Sequence, residues 1–248
     1  MLEMPRTSFE PDLSALARTI DRDGFAVLPD YIPAERLRVL QGFVQTSVRA
    51  NGNESVGRWT DLGEFDATLV GNLTRDADFI ALCRGIYSAA FKVPAPDTPL
   101  VPSIRCLSGP SGAAQSMLFH YDTYVLTAII PIIIPTEGRT GRLVVYPNTR
   151  GLRRLYLANL LDKILSDNSR AQRRYKAMYD GKSDRLRYID MKPGSLYLFW
   201  GYRSIHTNEE CDPDKIRSTA VYHYHDPHAD SAVKTLLKRQ SGRHRPQG

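Results

Sequence analysis

Hydrophobic positions recur with different periods in the two parts of the chain. Up to about residue 98, apolar residues return every three or four positions, which predicts amphipathic helices. Beyond residue 99 the period changes to two, which predicts strands. One helical excursion interrupts the strands between about 150 and 185. Helices followed by a block of strands indicate an α+β fold around an antiparallel sheet or barrel.

The individual elements follow from these patterns and from the turn residues between them. The predicted helices cover 13–22, about 33–49, 77–90 and two segments of the excursion. The predicted strands cover 24–28, 101–107, 115–124, 126–134, 141–148, 186–191, 195–200, 205–206 and 216–225. Pro131 interrupts the apolar strand 126–134, and because proline cannot donate to a strand ladder we expect a bulge or a sheet edge there.

Length and composition are those of an ordinary globular chain. With 248 residues, 42% hydrophobic and 24% charged, one domain can bury a sizeable core. No apolar run approaches the length of a membrane span, and residues 1–9 lack the apolar centre of a secretory signal. Three cysteines, far apart and odd in number, favour a reducing compartment. We therefore expect a cytoplasmic protein that does not associate with membranes.

The net charge of +6 is concentrated in one segment. Residues 150–187 contain 11 Lys/Arg and 4 Asp/Glu, a local charge of +7 (11 − 4), so the rest of the chain sums to −1 (6 − 7). Such a segment is either a solvated basic excursion or a rim that attracts anions, including nucleic acid. The sequence alone leaves both interpretations open.

The most informative local motif is His120-x-Asp122 in an aromatic context. If this segment is a strand, both side chains point to the same face, because side chains alternate with period two. A histidine and a carboxylate that converge suit a divalent metal. A second histidine would complete the two-histidine, one-carboxylate triad of non-haem iron(II) oxygenases, which leaves coordination positions open.

His206 and Arg217 are the candidates for the third ligand and for a cosubstrate anchor. His206 lies 86 residues after His120 (206 − 120), at the end of a predicted strand. Arg217 and Thr219 share one face of the last strand by period two. A guanidinium fork beside a hydroxyl suits a carboxylate, so this pair is expected to bind the distal carboxylate of 2-oxoglutarate.

Taken together, these motifs resemble the phytanoyl-CoA dioxygenase-like family of iron(II)/2-oxoglutarate oxygenases. The resemblance covers most of the chain: 23–29 (DGFAVLP), His120-x-Asp122, 141–149 (GRLVVYPNT), 193–196 (PGSL), His206 and Arg217. It implies a double-stranded β-helix, or jelly roll, with iron bound by His120, Asp122 and His206 and 2-oxoglutarate bound by Arg217. Thr219 is similar to the hydroxyl partner in the arginine-x-serine pair of related oxygenases. Pro131 and the basic insertion depart from the pattern on the substrate side.

This resemblance also defines the expected domain organisation. The chain is expected to form one oxygenase domain over 1–248, with a mainly helical part over 1–98. A jelly-roll core over 99–228 follows, with its helical insertion at about 150–185, and then a basic tail over 229–248. The sequence does not indicate an oligomeric state.

Further site residues are weaker candidates. Arg105 and Gln115 are expected on strands that lead into the metal pair, where either binds 2-oxoglutarate or a substrate anion, or is an ordinary ladder residue. Tyr124 shares the predicted face of Asp122 and is a candidate cosubstrate contact. His223 lies on the face of Arg217 and lines a substrate cavity or forms a competing metal site with His225. Arg58 and Trp59 lie in a long polar segment that is either a lid or a surface loop.

The predicted function is oxidation of an unactivated C–H bond with iron(II), O₂ and 2-oxoglutarate, releasing succinate and CO₂. Asp122 favours hydroxylation or a related oxidation, because halogenases of this class replace the carboxylate by chloride. The expected substrate is a small anionic or carboxylate-bearing metabolite or natural-product intermediate. The alternatives are a non-catalytic jelly-roll binding protein and an oxygenase that acts on nucleic acid, for which the expected second arginine and asparagine are not apparent.

Overall fold

The computed structural model describes residues 11–53 and 69–236. Within these ranges, in chain order, the elements are α1 (Leu13–Asp23), β1 (Ala26–Leu28), α2 (Ala34–Ala50), α3 (Leu69–Leu73), α4 (Ala77–Phe91), β2 (Val101–Leu107), α5 (Gly109–Ala114), β3 (Leu126–Ile133), β4 (Leu143–Tyr146), α6 (Tyr156–Asp167), α7 (Ser169–Asp180), β5 (Arg187–Ile189), β6 (Leu196–Phe199), β7 (Ile205–Asn208) and β8 (Arg217–Tyr224). No helix in the described ranges is both long and apolar enough to cross a bilayer.

The strands form two antiparallel sheets that face each other. The larger sheet has the order β1-β6-β3-β8-β2, and the smaller sheet has the order β5-β4-β7. The apolar side chains between the sheets include Ile129 of β3, Val145 of β4 and Phe199 of β6. The α+β prediction with a jelly-roll core is confirmed.

The outer face of the larger sheet is covered by helices α1, α2 and α4. Ala220, Tyr222 and Tyr224 of β8 are buried in the same core cluster as Ile20, Val44 and Ile86 of those helices. By alternation, Arg217, Thr219 and His223 point the other way, into the space between the sheets. Strand β8 therefore presents its apolar face to the helices and its polar face to the interior.

The helix ends follow the sequence signals. Asp12 and Asp76 cap α1 and α4, since each side chain accepts a hydrogen bond from the backbone N–H three residues on. Gly24 ends α1 in the left-handed conformation, with φ of 92°. In β3, the pairing with β8 shifts between Pro131 and Ile133, so the predicted bulge is present.

One predicted strand is wrong. Residues 115–124 do not form a strand: Gln115 caps the end of the short helix α5, and the segment that follows is irregular up to β3. The alternation of polar and apolar residues is present, but only His120 pairs in a β-bridge, with His206. Alternation with period two is therefore not sufficient for a strand, which also needs backbone pairing with a neighbouring strand along its length.

The helical insertion consists of α6 and α7 and packs against the segment that carries the metal pair. Gln172 of α7 accepts a hydrogen bond from the Phe119 N–H (3.1 Å) and donates one to the Phe119 carbonyl (2.7 Å). The insertion therefore lies directly behind the residues that precede His120.

Candidate metal centre

Backbone pairing brings the three predicted ligands together. His120 and His206 exchange two N–H···O hydrogen bonds of 3.0 Å, and the Asp122 N–H donates to the Gly201 carbonyl at 2.9 Å. These bonds attach the irregular segment 115–124 to β7 and to the turn between β6 and β7. The position of the histidine–aspartate pair is thus determined by its pairing partner rather than by a strand of its own.

The side chains of His120, Asp122 and His206 converge on one point, with their potential ligand atoms within 4.8 Å of one another. His120 Nε2 lies 3.8 Å from Asp122 Oδ1, and His206 Nε2 lies 3.5 Å from Asp122 Oδ2. Each histidine places its Nδ1 close to a backbone carbonyl, that of Leu118 (2.9 Å) or of Ser204 (3.1 Å). Such outer hydrogen bonds direct Nε2 toward a metal.

At Asp122 and His120, the electrostatics favour the protonation states that a metal requires. Burial, with the nearby His206, lowers the pKa of His120 to about 4. Burial alone would raise the pKa of Asp122, but His206 and His223 hold it well below its ordinary value. Burial opposes the charged form of His206 as well, yet the Asp122 carboxylate raises its pKa. Asp122 is therefore ionised and His120 neutral near neutral pH.

Thr127, Gly201 and His223 surround the Asp122 carboxylate. Thr127 Oγ1 donates a hydrogen bond to Asp122 Oδ2 at 2.5 Å. Gly201 packs so closely that an added Cβ would lie 2.2 Å from Asp122 Oδ2. His223 Nδ1 lies 3.8 Å from the same oxygen and stacks on the Tyr124 ring, with centroids 5.0 Å apart. The carboxylate is fixed on several sides.

Arg217 occupies the interior beyond the triad. It is buried, and its Nε donates to the Gly141 carbonyl at 2.6 Å. Among the described residues, no carboxylate lies within 4.0 Å of its guanidinium. Burial, with Arg105 nearby, lowers the pKa of Arg217 to about 10, which leaves it charged near neutral pH. A buried cation of this kind needs an anionic partner.

Arg105 and Thr219 lie beside Arg217. Arg105 and Thr219 are direct partners in the β2–β8 ladder, so they share the inner face. Arg105 donates to the Gln115 carbonyl and influences the pKa values of His120, His206 and Arg217. Arg105 is therefore close enough to both the triad histidines and Arg217 to affect them electrostatically.

The remaining candidate site residues lie at different distances from the three metal ligands. Gln115 is not on a strand, and its backbone carbonyl accepts a hydrogen bond from Arg105. His223 is next to Asp122, and Tyr124 stacks on His223. His225 lies at the end of β8, where its φ of 57° turns the chain, and no metal-binding group found among the described residues includes it. His228, a few residues further on, is buried against Tyr202. Arg58 and Trp59 lie outside the described residues.

Sequence reasoning missed residues whose role depends on close approach. Gly141 is one: its φ is 71°, and an added Cβ would lie 2.4 Å from Arg217 Cδ. Gly201 contacts Asp122 in the same way. A glycine at the edge of a strand is the sequence signal for close backbone approach, and here Gly201 follows β6 and Gly141 precedes β4. The signal does not identify the residue that approaches.

A cavity of about 680 Å³ lies to one side of the triad. Its lining includes Arg142, Tyr179 and Glu209, and none of the three predicted ligands. Glu209 accepts two hydrogen bonds of 2.7 Å from Arg142 and one of 2.8 Å from Tyr179. These charged groups satisfy one another, so the cavity differs from the space around Arg217.

Solved structures with a similar fold include proteins that bind 2-oxoglutarate or depend on it, and a prolyl 4-hydroxylase. HygX from Streptomyces hygroscopicus, solved with nickel and 2-oxoglutarate bound, has a TM-score of 0.56 and 12% identity, and the match covers 85% of each chain. A prolyl 4-hydroxylase from Phytophthora capsici has a TM-score of 0.54 and 10% identity, over 96% of this chain and 76% of that one. SnoN, a non-haem α-ketoglutarate-dependent epimerase of nogalamycin biosynthesis, has a TM-score of 0.50 and 15% identity, over 88% and 85%.

These likenesses establish the fold class, a jelly roll shared with 2-oxoglutarate oxygenases. No family model matches the chain, and no curated protein sequence matches it either. Membership of the phytanoyl-CoA dioxygenase-like family therefore stays a prediction from the sequence motifs.

Proposed function

We propose that this protein is an iron(II)- and 2-oxoglutarate-dependent oxygenase that oxidises a C–H bond of a small molecule. The observation that supports this most strongly is the combination of two features of the same interior. One is the cluster of His120, Asp122 and His206, and the other is the buried Arg217, which has no carboxylate partner among the described residues. Two imidazoles and one carboxylate are the donor set of the facial triad of non-haem iron(II) oxygenases.

The residues present fit both groups. His120, Asp122 and His206 would hold the metal, and Arg217 with Thr219 would bind the distal carboxylate of 2-oxoglutarate. Arg105, which influences the triad histidines and Arg217 electrostatically, would contact the carboxylate nearer the metal. Iron bound in this triad would activate O₂ at the expense of 2-oxoglutarate, giving succinate and CO₂ together with the oxidised substrate.

The chain's own residues would position the reactants and exclude water. Thr127 and Gly201 fix the carboxylate of Asp122, and the backbone carbonyls at Leu118 and Ser204 fix the two imidazoles. Tyr124 and His223 stack beside Asp122 on the side away from Arg217 along β8, where the substrate would bind. Hydroxylation is the outcome we propose, because the carboxylate ligand is present.

The test is formation of succinate from 2-oxoglutarate by iron-loaded protein in air. The wild type is expected to convert 2-oxoglutarate slowly without substrate and faster with a substrate. Asp122→Ala is expected to abolish the conversion. An Asp122→Ala variant with wild-type turnover, or a wild type that binds metal and never consumes 2-oxoglutarate, would contradict the proposal and would favour a binding protein.

A further inference from the structure

Helix α6 is oriented with its polar side toward the protein. Asn159 and Ser166 are buried at 2% and 4% exposure, while Leu157, Leu161 and Ile164 are more than half exposed. Surface helices usually place their apolar side against the core. Because α6 instead buries its polar side, the polar groups on that side need partners inside the protein.

Lys163 projects from this polar side toward the metal segment. Its Nζ donates a hydrogen bond of 2.8 Å to Thr123 Oγ1, and Thr123 directly follows Asp122. In the described ranges no carboxylate lies within 4.0 Å of Nζ. A half-buried ammonium with only a neutral hydroxyl as partner is incompletely satisfied.

Two nearby buried groups also lack partners within the described part of the chain. Arg150 is 7% exposed, and its guanidinium stacks between the rings of Tyr121 and Tyr202, at 3.9 and 4.1 Å from their centroids. Its Nη2 is buried without a hydrogen-bond partner, and so is Oδ1 of Asn159, one helical turn before Lys163. Such groups are costly to leave unpaired. The unpaired Nη2 is a donor, which an anion or a water would complete, whereas the unpaired Oδ1 is an acceptor and needs a donor such as water.

The local charge is positive. Asp162 is shared by Arg150 (3.2 Å) and Arg153 (2.6 Å), and Asp226 is paired with Lys234. Burial lowers the pKa of Lys163; Asp122 opposes this shift, and the like charges of Arg150 and Lys234 add to it. Once Asp122 binds a divalent ion, its negative charge no longer neutralises Lys163.

We propose that Lys163, with Arg150 beside it, binds an oxyanion group of the substrate next to the metal. The group is a carboxylate or a phosphate, both of which accept hydrogen bonds from an ammonium and a guanidinium. This proposal rests on the proposed oxygenase function and narrows its substrate class. It also gives the insertion a role: α6 delivers a specificity-determining lysine to the substrate side of the triad.

The test measures anion binding by NMR on protein loaded with Zn(II) and saturated with 2-oxoglutarate, so that the Arg217 site is filled. The probes are propionate, its neutral analogue propionamide, and methyl phosphate. The two anions are expected to bind, and propionamide is not. Lys163→Met is expected to raise the anion dissociation constant roughly tenfold or more, and Lys163→Arg to keep it within a few-fold. Lys176→Met, on the exposed side of α7, is the matched control and is expected to behave as wild type.

The outcomes separate the possibilities. Tighter binding of methyl phosphate indicates a phosphate-bearing substrate, and tighter binding of propionate a carboxylate-bearing one. Equal binding of propionate and propionamide, no binding of either anion, or equal anion binding by wild type and Lys163→Met would overturn the proposal. If the metal-loaded wild type fails to bind 2-oxoglutarate, the oxygenase function fails, while the comparison of Lys163→Met with Lys176→Met still decides the anion site.

Discussion

At the scale of single residues, the site depends on side chains that can be recognised in the sequence and on contacts that only the folded structure shows. His120, Asp122, His206 and Arg217 could be proposed from their side chains and order, because few arrangements use two histidines, a carboxylate and an arginine in this way. Gly201 could not be assigned to Asp122, since 79 residues (201 − 122) separate them and only the turn between β6 and β7 brings them together.

Gly201→Ala should weaken metal binding. The new Cβ would lie 2.2 Å from both Asp122 Oδ2 and Thr127 Oγ1, so the ligand carboxylate must move. Loss of such outer support typically costs about 10–100-fold in metal affinity. The measurement is the Ni(II) or Fe(II) dissociation constant under anaerobic conditions. Gly151→Ala is the control, because nothing lies within 4 Å of its Cβ; equal affinities for the two variants would refute the close-packing argument.

Arg217→Lys should weaken 2-oxoglutarate binding and leave metal binding unchanged. The lysine keeps the charge but loses the fork and the hydrogen bond from Nε to the Gly141 carbonyl. We expect the 2-oxoglutarate dissociation constant to rise about tenfold or more, which is roughly 1.4 kcal/mol or more. Arg139→Lys, at an exposed arginine paired with Asp212, is the control. An unchanged constant in Arg217→Lys would place the cosubstrate elsewhere.

At the scale of elements, the helices and most strands could be predicted, because their apolar periods match the surfaces they bury. The segment 115–124 could not, since its alternation of residues reflects one β-bridge and a set of metal ligands rather than a ladder. The orientation of α6 was also beyond the sequence: the pattern predicts an amphipathic helix but not that its polar side faces the protein. That orientation brings Lys163 to Thr123, which is 40 residues away in sequence.

Helix α7 should stabilise the metal segment through Gln172. Gln172→Ala removes both hydrogen bonds to the backbone of Phe119, a buried residue. Leaving these groups unpaired should cost about 1–3 kcal/mol of unfolding free energy. Urea unfolding measures this loss, and metal affinity should fall with it. Arg173→Ala, the exposed neighbour on the same helix, should change stability by no more than about 0.5 kcal/mol; a similar loss in both variants would show that the effect is not specific to Gln172.

At the scale of the whole molecule, two sheets and a helical layer place the three ligands and the anchoring arginine in one interior. The change from helical to strand periods near residue 99 was enough to predict an α+β fold, because it reflects which surfaces are buried. The pairing order β1-β6-β3-β8-β2 was not predictable from those periods, since it depends on long-range ladders. The basic segment 150–187 was recognised from its charge, but the sequence did not show that two of its basic side chains are fully or partly buried in different surroundings. Arg150 is buried between two tyrosines, and Lys163 points toward the metal segment.

The measurement that tests the central claim most directly is an anaerobic titration of the metal-free protein with Fe(II) and then with 2-oxoglutarate, followed by visible absorption. Chelation of 2-oxoglutarate to iron in the triad should produce a weak metal-to-ligand charge-transfer band. The band should be absent in His206→Ala and should require more 2-oxoglutarate in Arg217→Lys. Iron binding without any band in the wild type, or an undiminished band in His206→Ala, would contradict the assignment of this centre.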